Sequence, residues 1–273
     1  MKFYRIVSFL FNAGFVQIGN IYPVEYARTF YEGMLAEGQD KIVNLLRCAW
    51  AGSQRYGALV WSGDIHSTFE SLRNQVCAGL NMAMAGIVWW TTDIGGFFGA
   101  DIYDKEYKEV FVRWFEYGTF CPVMRLHGYR MPYQPQYGTT GGAECVSGAP
   151  NEIWSYGEEV YEICKNYIAI REELRPYIRV AMKQAHEKGT PIIRPLFYDF
   201  PEDIQCWEIE DAYMFGPEIL VAPVTERGQR KKAVYLPAQK QWKNWWTGEI
   251  YEGGKRIYVD APLDQIPLFR RVR

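Results

Sequence analysis

Histidine is scarce in this chain, with 3 in 273 residues, and the 6 cysteines (Cys48, Cys77, Cys121, Cys145, Cys164, Cys206) stand far apart. None forms a C-x-x-C pair or sits at metal-ligand spacing from a histidine, which argues against a structural zinc site. Scattered thiols of this kind suit a reducing compartment, so a cytoplasmic location is expected. The glycine-rich phosphate signature G-x-G-x-x-G does not occur, which weakens the case for an open nucleotide-binding sheet. A net charge of -2 supplies no electrostatic attraction to nucleic acid or to an anionic membrane. There is also no apolar run long enough to span a bilayer. The start, M-K-F-Y-R followed by I-V-S-F-L-F-N-A-G-F-V, loosely follows a secretory leader, but Asn12 and Gly14 interrupt it and no small-x-small cleavage site follows. A fragment of strand or helix is the preferred reading of that run.

What the chain has in quantity is apolar and aromatic surface. Apolar residues make up 48% of it and aromatic residues 16%, which excludes intrinsic disorder. Tyr and Trp present a flat apolar face with a polar edge, suited to sugars and other amphipathic ligands; an aromatic-rich core is the equal alternative.

Local patterns alternate between the two regular periods. Tyr22 to Gln39 has apolar residues at helical spacing, with Pro23 in the first turn. Lys41 to Cys48 reads as a buried strand and Tyr56 to Asp64 as strand or strand end. A helix is predicted over Ser67 to Ala85, where S-T-F-E fits a capping box and Leu72, Val76, Leu80 and Met84 form a stripe. Ile87 to Thr92 reads as a strand, Tyr107 to Gly118 as an amphipathic helix, and Phe120 to Met124 as a short strand. Strand and helix in alternation with short connections predict parallel βαβ units, in a barrel or an open doubly wound sheet. Met131 to Pro150 reads as a Gly/Pro-rich loop, and Glu158 to Lys188 as a helical region broken at Pro176. After Gly189 short apolar runs recur between turn residues and predict a small antiparallel sandwich. The expected division is 1–189 and 190–273.

Two of the strand-like runs end in an acid. A-L-V-W-S-G-D closes on Asp64, and G-I-V-W-W-T-T-D-I-G-G-F carries Asp93 before a Gly-Gly turn. Carboxylates at the ends of consecutive parallel strands face one pocket at the mouth of a barrel. Arg47, Trp61, Arg125 and His127 fall at strand ends of the same series. The set supplies an acid, a second carboxylate, aromatic surface and hydroxyl-binding donors, which suits a neutral polyhydroxyl ligand. Bland roles stand beside these: Arg47 and Arg125 could be paired within the barrel, Phe97 could be core, and Asp93 could cap the Gly-Gly turn.

The run R-C-A-W-A-G-S-Q-R-Y-G-A-L-V-W-S-G-D, then T-T-D-I-G-G-F, then R-L-H-G resembles glycoside hydrolase family 31, the α-glucosidase and α-xylosidase family. R-P-L-F-Y-D-F-P, F-G-P-E-I-L-V-A-P-V, W-W-T-G-E and A-P-L-D-Q-I-P-L-F are similar to that family's region after the barrel, so the resemblance runs from about residue 20 to residue 273. It implies the second half of a (β/α)8 TIM barrel followed by a β-sandwich domain. It implies Asp64 as general acid/base, and Arg47, Trp61, Asp93, Phe97 and His127 as substrate-binding residues. The implied substrate is an α-linked oligosaccharide or α-glycoside, with no metal or organic cofactor.

One departure from the family pattern bears on activity. The family retains stereochemistry with two carboxylates, and its nucleophile is an Asp at the end of the fourth barrel strand, upstream of the matching segment. No Asp or Glu precedes Glu25 here, and residues 1–17 match nothing expected of the family. The chain is therefore expected to turn over little or no substrate alone, and to associate with a complementary barrel half or with itself. A non-catalytic carbohydrate-binding remnant and a truncated gene product are the alternatives.

Overall fold

A computed structural model of the chain describes residues 18–272. The apolar run near the N-terminus lies outside the described residues. Helix α1 (Tyr22–Ala36) opens the described fold with Pro23 in its first turn, where a missing N–H costs nothing. Three short strands follow, β1 (Asn44–Leu46), β2 (Ala58–Trp61) and β3 (Trp90–Thr91), in a parallel sheet of that order. Leu46 pairs with Val60, and Val60 with Trp90. Helix α2 (Phe69–Met84) crosses from β2 to β3. Leu72, Val76 and Leu80 of its stripe are buried, while Met84 at its end is exposed. Its N-cap is Thr68, whose hydroxyl accepts from the Ser71 N–H, so the cap sits one residue later than S-T-F-E implies.

Two expected strands and one expected loop differ from what forms. The run 41–48 is not buried throughout: β1 alternates, leaving Val43 and Leu45 exposed. Among the described residues it lies at the edge of its sheet, paired on one side only. The strand expected over 120–124 is absent. After helix α3 (Lys105–Thr119), Pro122 has no N–H to donate. The carbonyls of Thr119, Cys121 and Pro122 instead accept from the Arg171 guanidinium at 2.6, 2.7 and 2.9 Å. One rung remains, from the Val123 N–H to the Trp90 carbonyl at 3.2 Å. Conversely, the segment 131–150 holds two strands. Strand β4 (Ala100–Asp101) runs parallel to β5 (Arg130–Gln134), which pairs antiparallel with β6 (Ser147–Ala149). The β5–β6 register is irregular between Arg130 and Gln134, the interval that holds Pro132, which cannot donate to a ladder.

Helices α4 (Glu158–Glu173) and α5 (Arg175–Lys188) meet at Leu174, just before the proline. Beyond them the chain turns to antiparallel sheet. Strands β7 (Ile193–Pro195), β8 (Tyr213–Phe215), β9 (Ile219–Val221), β10 (Lys231–Leu236), β11 (Gln241–Asn244), β12 (Ile250–Glu252), β13 (Lys255–Asp260) and β14 (Leu268–Arg271) complete the fold. Six of them form one sheet in the order β12-β11-β14-β9-β8-β7, and β10 pairs with β13. The fold is thus a barrel portion followed by a β-sandwich. Strands β8 and β9 are apolar at every position because they serve two cores. Tyr213, Phe215, Ile219 and Val221 join the barrel helices, whereas Met214 and Leu220 face the sandwich interior. Among the described residues no helix is long and apolar enough to cross a membrane.

A buried polar knot ties the two parts together. Arg113 of α3 is fully buried and donates to the carbonyls of Ala261 at 2.7 Å and Pro262 at 2.9 Å. It also pairs with the equally buried Glu116 at 3.1 Å. Glu116 accepts from the Tyr167 hydroxyl of α4 at 3.0 Å, and that hydroxyl accepts from the Ile266 N–H at 2.9 Å. Burial pushes the Glu116 carboxyl up to about 7, against the pull of Arg113. An unfolded Glu titrates near 4.3, so between about pH 4.3 and 7 the folded state holds the extra proton and stability falls as pH rises. Glu116→Gln is therefore expected to gain thermal stability relative to the wild type at pH 8 compared with pH 5.5. A difference between the two proteins that does not change with pH, measured by thermal unfolding, would contradict this.

Candidate active site

The C-terminal ends of β2 and β3 deliver Asp64 and Asp93 to one side of the sheet, and the Ser62 hydroxyl reaches Thr92 Oγ1 at 3.4 Å between them. The two carboxylates sit in opposite environments. Asp64 lies at the rim with its side chain 36% exposed, paired with the Arg47 guanidinium at 3.2 Å. Asp93 is fully buried, with one oxygen on Arg125 and Oδ2 without a hydrogen-bond partner among the described residues. Burial raises the Asp93 pKa; Arg125, His127 and Arg130 pull it back down, and the charge of Asp64 adds to the rise. Trp61 lies beside both ion pairs, with the Arg47 and Arg125 guanidinium carbons 5.9 and 5.8 Å from its ring centre. Those distances place both cations within reach of the ring quadrupole.

The Gly-Gly turn sets the height of the floor. The Gly96 N–H donates to the Asp93 carbonyl at 2.9 Å, and the Phe97 N–H to the Ile65 carbonyl at 2.7 Å. The second bond ties the turn to the residue that follows Asp64. Gly96 has φ +75°, and a Cβ there would lie 2.6 Å from Ser67 Cα and 2.8 Å from the His66 carbonyl oxygen. Both obstacles are backbone, so only glycine fits. Phe97 lies 5.5 Å from the His127 ring and 6.5 Å from that of Tyr129.

All six residues singled out in the sequence, Arg47, Trp61, Asp64, Asp93, Phe97 and His127, thus converge on one site. Arg47 and Arg125 are paired within the barrel, each to one of the two acids. The Asp93 main chain, and not its carboxylate, closes the Gly-Gly turn. A cleft of about 290 Å³ adjoins the site, lined by Tyr22, Tyr26, Leu46, Arg47 and Trp61 among others. Among the described residues no group of three or more His, Cys, Asp or Glu could hold a metal ion. Sequence reasoning missed Arg130 and Tyr129, which follow R-L-H-G directly. Arg130 is fully buried in β5, and a lone arginine in a polar stretch carries no sign of burial. The site thus sets an exposed acidic side chain beside a buried one, walled by aromatic rings and guanidinium groups.

Comparison with known proteins agrees with that arrangement. Residues 11–180 match the glycosyl hydrolases family 31 TIM-barrel domain, and residues 189–272 match the family 31 C-terminal domain. The chain belongs to glycoside hydrolase family 31. The barrel match begins upstream of residue 20, so part of the segment that matched nothing by motif falls within the family domain. An alpha-xylosidase of Saccharolobus solfataricus is 40% identical over 92% of this chain and 32% of its own length. Alpha-xylosidase A of Aspergillus niger is 36% identical over 93% of this chain and 37% of its own. The crystal structure of a family 31 alpha-xylosidase from a soil metagenome, complexed with xylose, superposes with a TM-score of 0.91 at 58% identity. That superposition covers 94% of this chain and 38% of that one. The chain therefore spans about a third of the length of the curated relatives it matches.

Two glycines separate steric from conformational strain in this loop. Gly99 also has positive φ (+84°), but the nearest atom to a Cβ there is His66 Nδ1 at 3.8 Å. Gly99→Ala is expected to cost about 1–2 kcal/mol, the strain of a left-handed alanine. Gly96→Ala is expected to cost roughly 3 kcal/mol or more, because overpacking against backbone adds to that strain. Urea unfolding of both variants checks the order; equal losses would contradict it.

Proposed function

We propose that this chain is the acid/base-bearing portion of a retaining exo-α-glycosidase that acts on α-xylosides or α-glucosides. The observation that carries the reading is the split between the acids, Asp64 at the rim and Asp93 buried against Arg125. Asp64 is the general acid: as the bond from C1 to the glycosidic oxygen breaks, it gives its proton to that oxygen while a second carboxylate attacks C1. It then takes a proton from water, whose oxygen displaces that carboxylate from C1. Arg47 orients Asp64 and binds sugar hydroxyls. Trp61 offers its face to the ring, and Phe97 flanks it. Asp93 through Oδ2, and His127, bind hydroxyls of the same ring. The domain division is 1–189 for the barrel portion and 190–273 for the sandwich.

Asp93 is a poor nucleophile in this setting. One of its oxygens is committed to Arg125, and the side chain is fully buried. Retaining hydrolysis needs two carboxyl groups about 5–5.5 Å apart across the scissile bond. The second carboxylate therefore comes from a complementary part of a family 31 barrel. The flank that would receive it is the edge of β1 beside α1, unpaired among the described residues, where Tyr26, Phe30, Val43 and Leu45 are 43%, 47%, 54% and 46% exposed. Apolar exposure along a strand edge favours association.

Three measurements on the purified chain test this. Turnover of p-nitrophenyl α-xyloside is expected to be undetectable, while calorimetry is expected to record xylose binding that Trp61→Ala weakens and Asp64→Asn leaves in place. Robust hydrolysis would contradict the need for a second carboxylate. Absence of binding would contradict the sugar site, and binding without turnover in any assembled form would favour a carbohydrate-binding remnant. Sedimentation is expected to show concentration-dependent self-association, and a monomer at all concentrations would contradict the assignment of the exposed flank.

A further inference from the structure

Arg130 is fully buried, and among the described residues no carboxylate pairs with it. Its guanidinium is held by five hydrogen bonds to neutral acceptors. Nη1 donates to the carbonyls of Gly96 and Phe97 at 2.8 and 3.0 Å, and Nη2 to that of Ile94 at 3.1 Å. Nε donates to Asn151 Oδ1 at 3.1 Å and to the Tyr156 hydroxyl at 3.0 Å. The cation also lies 5.3 Å from the centre of the Tyr107 ring. Three carbonyls of the turn that follows Asp93 thus converge on one side chain.

Two glycines pack directly against this side chain. A Cβ on Gly128, the residue after His127, would overlap the guanidinium itself. One on Gly95 would lie 3.0 Å from Nη2 and 2.6 Å from the Tyr107 hydroxyl. Gly128 closes R-L-H-G and Gly95 opens the Gly-Gly turn, so the side chain is wedged between two binding segments. The first carries His127, the second Asp93 and Phe97.

We propose that Arg130 is the positioning residue of this site, fixing the Asp93–Phe97 turn against the His127–Gly128 segment so that both present to one sugar. This rests on the sugar-site reading given above. A guanidinium suits the task because its planar fork reaches several carbonyls in fixed directions at once, which an ammonium does not. Its uncompensated charge also favours the ionised form of Asp93, alongside Arg125 and His127 and against Asp64.

The test uses the 273-residue chain and three variants. Arg130→Lys keeps the charge and loses the fork. Amide exchange at 94–97 is expected to quicken about tenfold and xylose affinity to weaken about tenfold, while amides of β8 and β9 keep their protection. Arg130→Gln removes the charge and is expected to move the Asp93 titration upward, read from its carboxyl carbon by NMR. Where either variant fails to fold, Tyr156→Phe, which removes one acceptor, is expected to quicken the same amides about threefold. Exchange and affinity within twofold of wild type in Arg130→Lys, or an unmoved turn in Tyr156→Phe, would overturn the proposal. A wild-type chain that binds no xylose would instead sink the sugar-site reading, and the exchange and Asp93 measurements would still report on Arg130.

Discussion

A carboxylate buried at the end of a strand is stable only if nearby charge and dipoles replace the water it has lost. Asp93 is that carboxylate, and the architecture around the site follows from serving it. Arg125 takes one oxygen, and Arg125, His127 and Arg130 oppose the rise that burial imposes on its pKa. The remaining oxygen, Oδ2, is buried without a partner among the described residues. A buried acceptor left open is costly unless something fills it, and a sugar hydroxyl is a donor of the right kind. Asp64, by contrast, remains at the rim, paired with Arg47.

The same device recurs through the fold. At three places where the chain departs from regular ladders, a guanidinium gathers backbone carbonyls instead. Arg171 holds those that follow α3, Arg113 those of 261–262, and Arg130 those of the Asp93 turn. Each is a long-range link, so the irregular segments are held by side chains distant in sequence. This explains how strands of two to four residues suffice at the ends that carry Asp64 and Asp93. Precision comes from these clamps and from the cores on either face of β8 and β9, not from extended pairing.

Much of this was legible beforehand, for reasons that differ by element. The βαβ alternation, the break at Pro176 and the apolar runs of the sandwich are local signals, and they form nearly where the patterns place them. Asp64 and Asp93 were visible because a polar residue ending an apolar strand is a local contradiction. His127 was visible through R-L-H-G, although the strand expected before it does not form. Arg130 was invisible because its burial depends on carbonyls contributed by residues 94–97. The missing strand at 120–124 has the same cause, since Arg171 lies about fifty residues away along the chain. The exposure of Val43 and Leu45 was also illegible, because an edge strand and a central one share the same apolar run.

The central claim is that the exposed acid, the buried acid and the tryptophan beside them form one subsite for a single pyranose. A structure of this chain with xylose tests it most directly. The account predicts the ring against Trp61, a hydroxyl donating to Asp93 Oδ2, another within hydrogen-bond reach of His127, and C1 directed toward Asp64. Xylose bound elsewhere, or bound at Trp61 with Asp93 Oδ2 still unpartnered, would contradict it.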